Sequence, residues 1–172
     1  MKAALLVLLL AFSAQEKDDI DAKLKEFADA MKSAKSDGDQ IKAIDALAAT
    51  RAFKAANKLV QVVGGPYPEA VRIAAADSVG KIGDVRAGAG LMAFVGSLGP
   101  VLKSEVPSRV ADQKVGEAAV RAVGTLRDHS AVKQLSGMTI SANVPLMGEV
   151  VRALGKIRDP QCMDALLKLH YA

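Results

Sequence analysis

Cys162 is the only cysteine of the chain, and His170 follows it by eight residues, slightly more than two helical turns. A thiol and an imidazole at that spacing could serve as nucleophile and general base, provided that a third residue oriented the imidazole. None is apparent, so Cys162 reads as a small buried hydrophobe. A single thiol also rules out an intramolecular disulfide and a cysteine-based zinc cluster. Ser36-Asp37-Gly38-Asp39 brings carboxylates together but lacks the Asp spacing and terminal Glu of a calcium loop; it reads as a turn and a helix N-cap. Gly80, Gly124 and Gly155 would cradle a phosphate only if gathered at a strand-to-helix turn, and they stand singly in helical segments. No catalytic, metal or cofactor-binding residue is therefore predicted, and the expectation is a non-enzyme without a cofactor.

The segments around those glycines set the architecture. Val79-Gly80-Lys81-Ile82-Gly83-Asp84, Val123-Gly124-Thr125-Leu126-Arg127-Asp128 and Leu154-Gly155-Lys156-Ile157-Arg158-Asp159 are three copies of one word. With the glycines aligned, Val71, Ala75, Val79 and Ile82 fall over Val115, Ala119, Val123 and Leu126, and those over Leu146, Val150, Leu154 and Ile157. The spacing i, i+4, i+8, i+11 is one face of a helix. Leu91, Leu135 and Leu166 continue the register seven residues after each Asp, so each unit is helix, tight turn, helix. A weaker unit precedes them: at a shift of 32, Ala43, Leu47 and Leu59 match Ala75, Val79 and Leu91. Ile20, Leu24, Phe27 and Met31 form one further amphipathic stripe.

The predicted fold is all-α, an α-solenoid of about four helical hairpins behind a leading helix. Residues 15–38 hold the leading helix, and the repeat domain covers 39–172, with units near 39–64, 68–103, 107–136 and 144–171. Gly155 follows Gly124 by 31 residues, but Gly124 follows Gly80 by 44, leaving about 13 extra residues between Leu91 and Val115. That join, with Gly96 to Pro107, reads either as a prolonged second helix with a Gly-Pro break and a loop, or as a partner-binding protrusion. Gly137 to Pro145 is a shorter join that seats the last hairpin.

Each word contains its own stop and start signals. Asp84, Asp128 and Asp159 can accept backbone N–H groups of the following helix, and Pro160 suits the first position after such a cap. Gly80, Gly124 and Gly155 each cost up to about 1 kcal/mol relative to Ala inside a helix. A repeated cost implies a repeated gain, and close approach of a neighbouring helix supplies one.

Apolar residues make up 51% of the 172, charged residues 24% and aromatics 3%, with no Trp. That suits thin, closely packed helices and disfavours a β-sandwich. The formal charge of +4 is mild, and its basic residues are interleaved with acids without aromatic partners, so no nucleic-acid partner is expected. Met1-Lys2 and the apolar run Ala3 to Phe12 resemble a secretory leader, too short to span a bilayer, with cleavage predicted after Ser13 or Ala14. The expected mature chain carries +3, lies in the periplasm or outside a bacterial cell, and has no stable membrane insertion.

The words themselves, Pro68 to Asp84, Gly116 to Asp128 and Glu149 to Pro160, resemble the short HEAT repeat of the subtype also seen in phycobilin lyases. With the degenerate first unit, the resemblance covers about Gln40 to Leu169. It implies a superhelix whose second helices line a concave, protein-binding face. Lys54, Lys58, Lys103, Lys133 and Lys168 are the candidate partner-binding residues, most of them on those second helices. HEAT-type diiron hydroxylases are similar in fold, but their paired His-Glu motif is missing: His129 is followed by Ser130 and His170 by Tyr171. The leading expectation is an exported scaffold for another protein. The alternatives are a binder of acidic polymers or anionic surfaces through dispersed lysines, and a lyase-like or chaperone-like accessory protein. The apolar end of the last hairpin also suggests self-association.

Overall fold

Val71, Ala75 and Val79, and their counterparts Val115, Ala119, Val123, Leu146, Val150 and Leu154, are fully buried, and they line one continuous core. The 3.6-residue period thus turns the same face of three helices inward. The computed structural model describes residues 19–99, 110–139, 144–163 and 166–167. The leader, Lys103 and Lys168 lie outside the described residues, as do Lys2 and His170. Among the described residues there is no strand, and no helix is long and apolar enough to cross a membrane.

Helix α1 spans residues 19–33 and buries Phe27 and Met31, with Ile20 and Leu24 half-buried beside them. Ser36 then caps α2 (Asp37–Ala48): its Oγ accepts from the Asp39 N–H at 3.2 Å and donates to the Asp39 carboxylate at 2.9 Å. The cap moves the boundary, because residues 37 and 38 open α2 and are not part of the leading helix. The chain continues as α3 (Phe53–Val63), α4 (Glu69–Ile82), α5 (Gly88–Ser97), α6 (Val110–Leu126), α7 (Val132–Met138) and α8 (Val144–Ile157). Residues 162–163 and 166–167 are also helical.

The first helices α2, α4, α6 and α8 stack side by side in one layer, and the second helices α3, α5 and α7 form the other. This is an all-α solenoid of HEAT-like hairpins. At the long join α5 ends at Ser97, 13 residues after Asp84, where α7 ends at Met138, ten after Asp128, so the second helix is prolonged by three residues; residues 100–109 lie outside the described residues. α6 also begins 14 residues before its glycine, where α4 and α8 begin 11 before theirs, so a further part of the excess lengthens a first helix.

One side chain ties three hairpins together. Arg72 of α4, 12% exposed, donates from Nε to the Val63 carbonyl at the end of α3 and from Nη1 to Asp112 of α6, both at 2.7 Å. Its guanidinium also lies 5.5 Å from the centre of the Phe94 ring on α5, a cation–π contact. A charge this enclosed is costly unless it is fully paired, and here it is paired on both sides. In the second layer, Gln134 of α7 donates to the Met92 carbonyl of α5 at 3.2 Å.

Candidate functional site

The first-helix layer is built on small residues that meet in a fixed order. A Cβ on Gly80 would lie 3.3 Å from the Ala122 Cα of α6, and one on Gly124 would lie 2.6 Å from the Ala153 Cα of α8. Each glycine therefore receives the alanine two residues before the next glycine. Gly155 departs from the expectation: a Cβ there meets nothing within 4 Å among the described residues, and the position is exposed. Its register is that of the other two, but among the described residues no further first helix stacks on α8.

Each first helix passes to its second helix through one left-handed residue. Gly83 has φ 81°, and Arg51, Arg127 and Arg158 take φ 53°, 54° and 57° at the equivalent position. Glycine adopts this conformation freely, whereas an arginine there costs roughly 1 kcal/mol or more. Three turns nevertheless carry Arg, and all three side chains are exposed.

The next residue in the three words is the Asp. Asp84 accepts from the Arg86 N–H at 3.0 Å, Asp128 from the Ser130 N–H at 2.9 Å and Asp159 from the Gln161 N–H at 2.9 Å. In the first two cases the capped segment is a one-turn 3-10 helix, Val85–Ala87 or His129–Ala131, that leads into the second helix. The Arg86 side chain, which donates to Asp84 and stacks 4.0 Å from the Phe53 ring centre, holds that carboxyl below the usual carboxylate range. The His129 Nδ1–H donates to Asp159 at 2.8 Å and lowers that carboxyl as well, so successive turns are linked along the edge. Asp128 is 4% exposed and takes a second bond from Ser130 Oγ at 2.6 Å. Gly88 leaves it room, since a Cβ there would run into the carboxylate.

Beside these turns, charge is ordered across the layer. Asp77, Arg121 and Arg152 each sit three residues before a glycine of the repeat. Arg121 reaches Asp77 on α4 at 3.2 Å and Glu149 on α8 at 3.9 Å, and Arg152 pairs with Glu149 at 2.8 Å. Exposed pairs of this kind contribute about 0–1 kcal/mol each, enough to set register but not to hold the stack.

Two adjoining recesses open along this edge. One, of about 440 Å³, has Gly80 and Ala122 on its floor and Asp77, Lys81, Arg121 and Lys156 at its rim, with Asp77 paired to Arg121. The other, of about 490 Å³, lies over Gly124 and Gly155 and is bordered by Arg127, Arg152, Lys156 and Arg158. Thr125 and Lys156 belong to both, so they form one groove. Lys81, Arg127, Lys156 and Arg158 have no acidic partner among the described residues. The helix macrodipole favours a cation in the last turn by about 0.3–1 kcal/mol. That accounts for Lys81 and Lys156, but not for arginines in a conformation that glycine would take more cheaply.

The lysines predicted on the second helices are not gathered in this way. Lys54 is paired with Asp21 of α1 at 2.6 Å, Lys58 donates to Gln61 at 3.3 Å, and Lys133 is exposed on α7. Cys162 is buried, its N–H donates to the Asp159 carbonyl at 2.9 Å, and burial raises its thiol pKa, the opposite of nucleophile activation. The arginine row escaped the reading of the repeats, although its signal is in them. Gly83 aligns with Arg127 and Arg158, and a glycine in one copy marks a backbone position that is left-handed in all.

Residues 71–97 and 148–169 match the PBS lyase HEAT-like repeat. These two segments hold most of α4 and α5 and most of the last hairpin, so the repeat architecture and the family match coincide. No curated protein matches the chain.

Proposed function

We propose, from the premise that this chain carries PBS lyase HEAT-like repeats, that it is an exported, non-enzymatic scaffold that holds another protein along its turn edge. The observation that carries this reading is the groove over Gly80, Gly124 and Gly155, where Lys81, Arg127, Lys156 and Arg158 lack acidic partners among the described residues, while Arg121 and Arg152 are paired with Asp77 and Glu149. Such a rim raises the local concentration of an acidic partner and speeds its encounter. The reading that puts an acidic polymer on the second-helix lysines has less support, because Lys54 is already neutralised by Asp21.

Cross-linking of the protein in its native host, with a photoreactive group at position 125 between the two recesses, tests the scaffold role. A specific protein adduct is the expected product. Adducts no more abundant than those from a group placed at exposed Asp45 on α2 would remove the reading. Exposed Met163 and Leu167, 57% and 47% accessible, support the additional proposal of self-association through the C-terminal hairpin. Sedimentation at increasing concentration checks it, and a monomer throughout would end it.

A further inference from the structure

We propose that this chain joins a second copy of itself head to tail, with the outer side of α8 in one copy seated on the outer side of α2 in the next, as α6 is seated on α8 within a copy. This rests on the self-association proposed above and gives it two different surfaces. Inside the chain, a glycine of one first helix receives the alanine two residues before the next glycine, Ala122 at Gly80 and Ala153 at Gly124. At the shift of 32, Ala48 takes the place of the glycine in α2 and Ala46 the place of the alanine. Ser78, Ala122 and Ala153, each with a first helix before it, are buried. Ala46, with none before it among the described residues, has the same small size and is exposed.

The other end of the stack is open in the complementary way. A Cβ on Gly155 meets nothing within 4 Å among the described residues, and Val151 is half-buried where its counterparts Ala76 and Val120 are buried. An open glycine weakens an isolated α8, and a seated alanine would use the space. The second layer shows the same difference. Met163 and Leu167, four and eight residues after Asp159, are 57% and 47% exposed, whereas Gly88 and Val132 at the first place and Met92 at the second are buried, with Ser136 half-buried. Solenoid ends normally carry polar outer faces, and this one is apolar.

The α2 end fits it in shape and charge. Beside Ala46, an apolar recess of about 420 Å³ opens between α1 and α2, lined by Phe27, Ala30, Ala43 and Leu47 and by the mutually paired Lys23 and Glu26. It has room for side chains of the size of Met163 and Leu167. Asp77 and Arg121, each three residues before the glycine, pair across α4 and α6 at 3.2 Å. Arg152 and Asp45 hold that place at the two open ends, and Asp45 is exposed without an ion pair among the described residues. Lys42, in the place of Glu149, is offset by Asp39 at 4.0 Å. Because the joined surfaces differ, the contact repeats from copy to copy.

The test is sedimentation of the full chain and of Gly155→Leu and Ala46→Leu, each of which fills one open face. The parent is expected to pass beyond a dimer as concentration rises. Each variant alone should associate at least 10-fold more weakly, with no fall in the thermal midpoint of the dilute protein. Mixed in equal amounts, the two should stop at a dimer, since one keeps an intact α2 face and the other an intact α8 face. A mixture that stays monomeric would overturn the junction. Association weakened by Gly155→Leu but not by Ala46→Leu would overturn it too, while self-association through the C-terminal hairpin stands. A parent that is monomeric throughout would end both. A lowered midpoint for dilute Ala46→Leu would mean that the same chain covers α2, and would also overturn the junction. The scaffold role is judged apart from these outcomes, because only adducts to a different protein count at positions 125 and 45.

Discussion

Gly124 and Gly155 occupy the same place in the same word, yet they live in different surroundings. Gly124 lies buried in the middle of the stack with a neighbouring backbone against it, whereas Gly155 is exposed on the last described first helix, with nothing against it among the described residues. In a solenoid each repeat is specified partly by its neighbour, so identical residues can hold opposite energetic signs. The difference teaches that a repeated residue type is evidence of a repeated backbone, not of a repeated contact.

The comparison can be broken most forcefully at the buried position. Gly124→Ala forces a methyl to within 2.6 Å of the Ala153 Cα, a backbone atom that cannot swing aside. The loss expected in denaturant unfolding is about 2–3 kcal/mol, in the range of overpacked cores. A variant as stable as the parent would mean that α6 and α8 can separate freely. Next comes Asp128→Ala, which deletes a buried cap and leaves the Ser130 N–H without its acceptor. A loss of about 1–2 kcal/mol is expected in the same measurement.

Gly155→Ala should act in the other direction. With open space above it and a helix below, alanine is expected to stabilise by a few tenths to about 1 kcal/mol, read as a raised thermal midpoint. A fall instead would place another helix over α8. The smallest effect is the dependence on acid. Asp84 and Asp159 have carboxyls held below their unfolded values, so their contribution is complete above the ordinary carboxylate range. It is lost as pH falls through the lower folded values. Asp159→Asn should lower stability above pH 6 or so and flatten part of the acid limb, so that the stability-versus-pH curves of variant and parent converge as pH falls.

Much of the fold was legible because burial follows a period that can be counted. Ile82, Leu126 and Ile157 close their stripes as the spacing predicts, and Leu91 and Leu135 continue it into the second helices. The Ser36 cap was legible too, since a short polar side chain before a helical stripe has one obvious use. What escaped was set by neighbours distant in sequence. Nothing local distinguishes Gly155 from Gly124, because the distinction lies in whether another first helix among the described residues packs against the glycine. The pairing of Lys54 with Asp21 joins residues 33 apart on two helices, which no periodicity reveals. The cationic groove escaped for a related reason: Arg127, Arg158 and Lys156 become one surface only after the hairpins stack.

Arg72 gives the stack a property that its repeat pattern does not suggest. In an ideal solenoid, hairpins come apart one at a time from an end, each interface failing independently. A single guanidinium bonded to the Val63 carbonyl behind it and to Asp112 ahead makes two interfaces share one part. Fraying that reaches either interface therefore loosens the other, so hydrogen exchange in α3, α4 and α6 should be protected as one block. Pulled from its ends, the molecule would yield there in a single step.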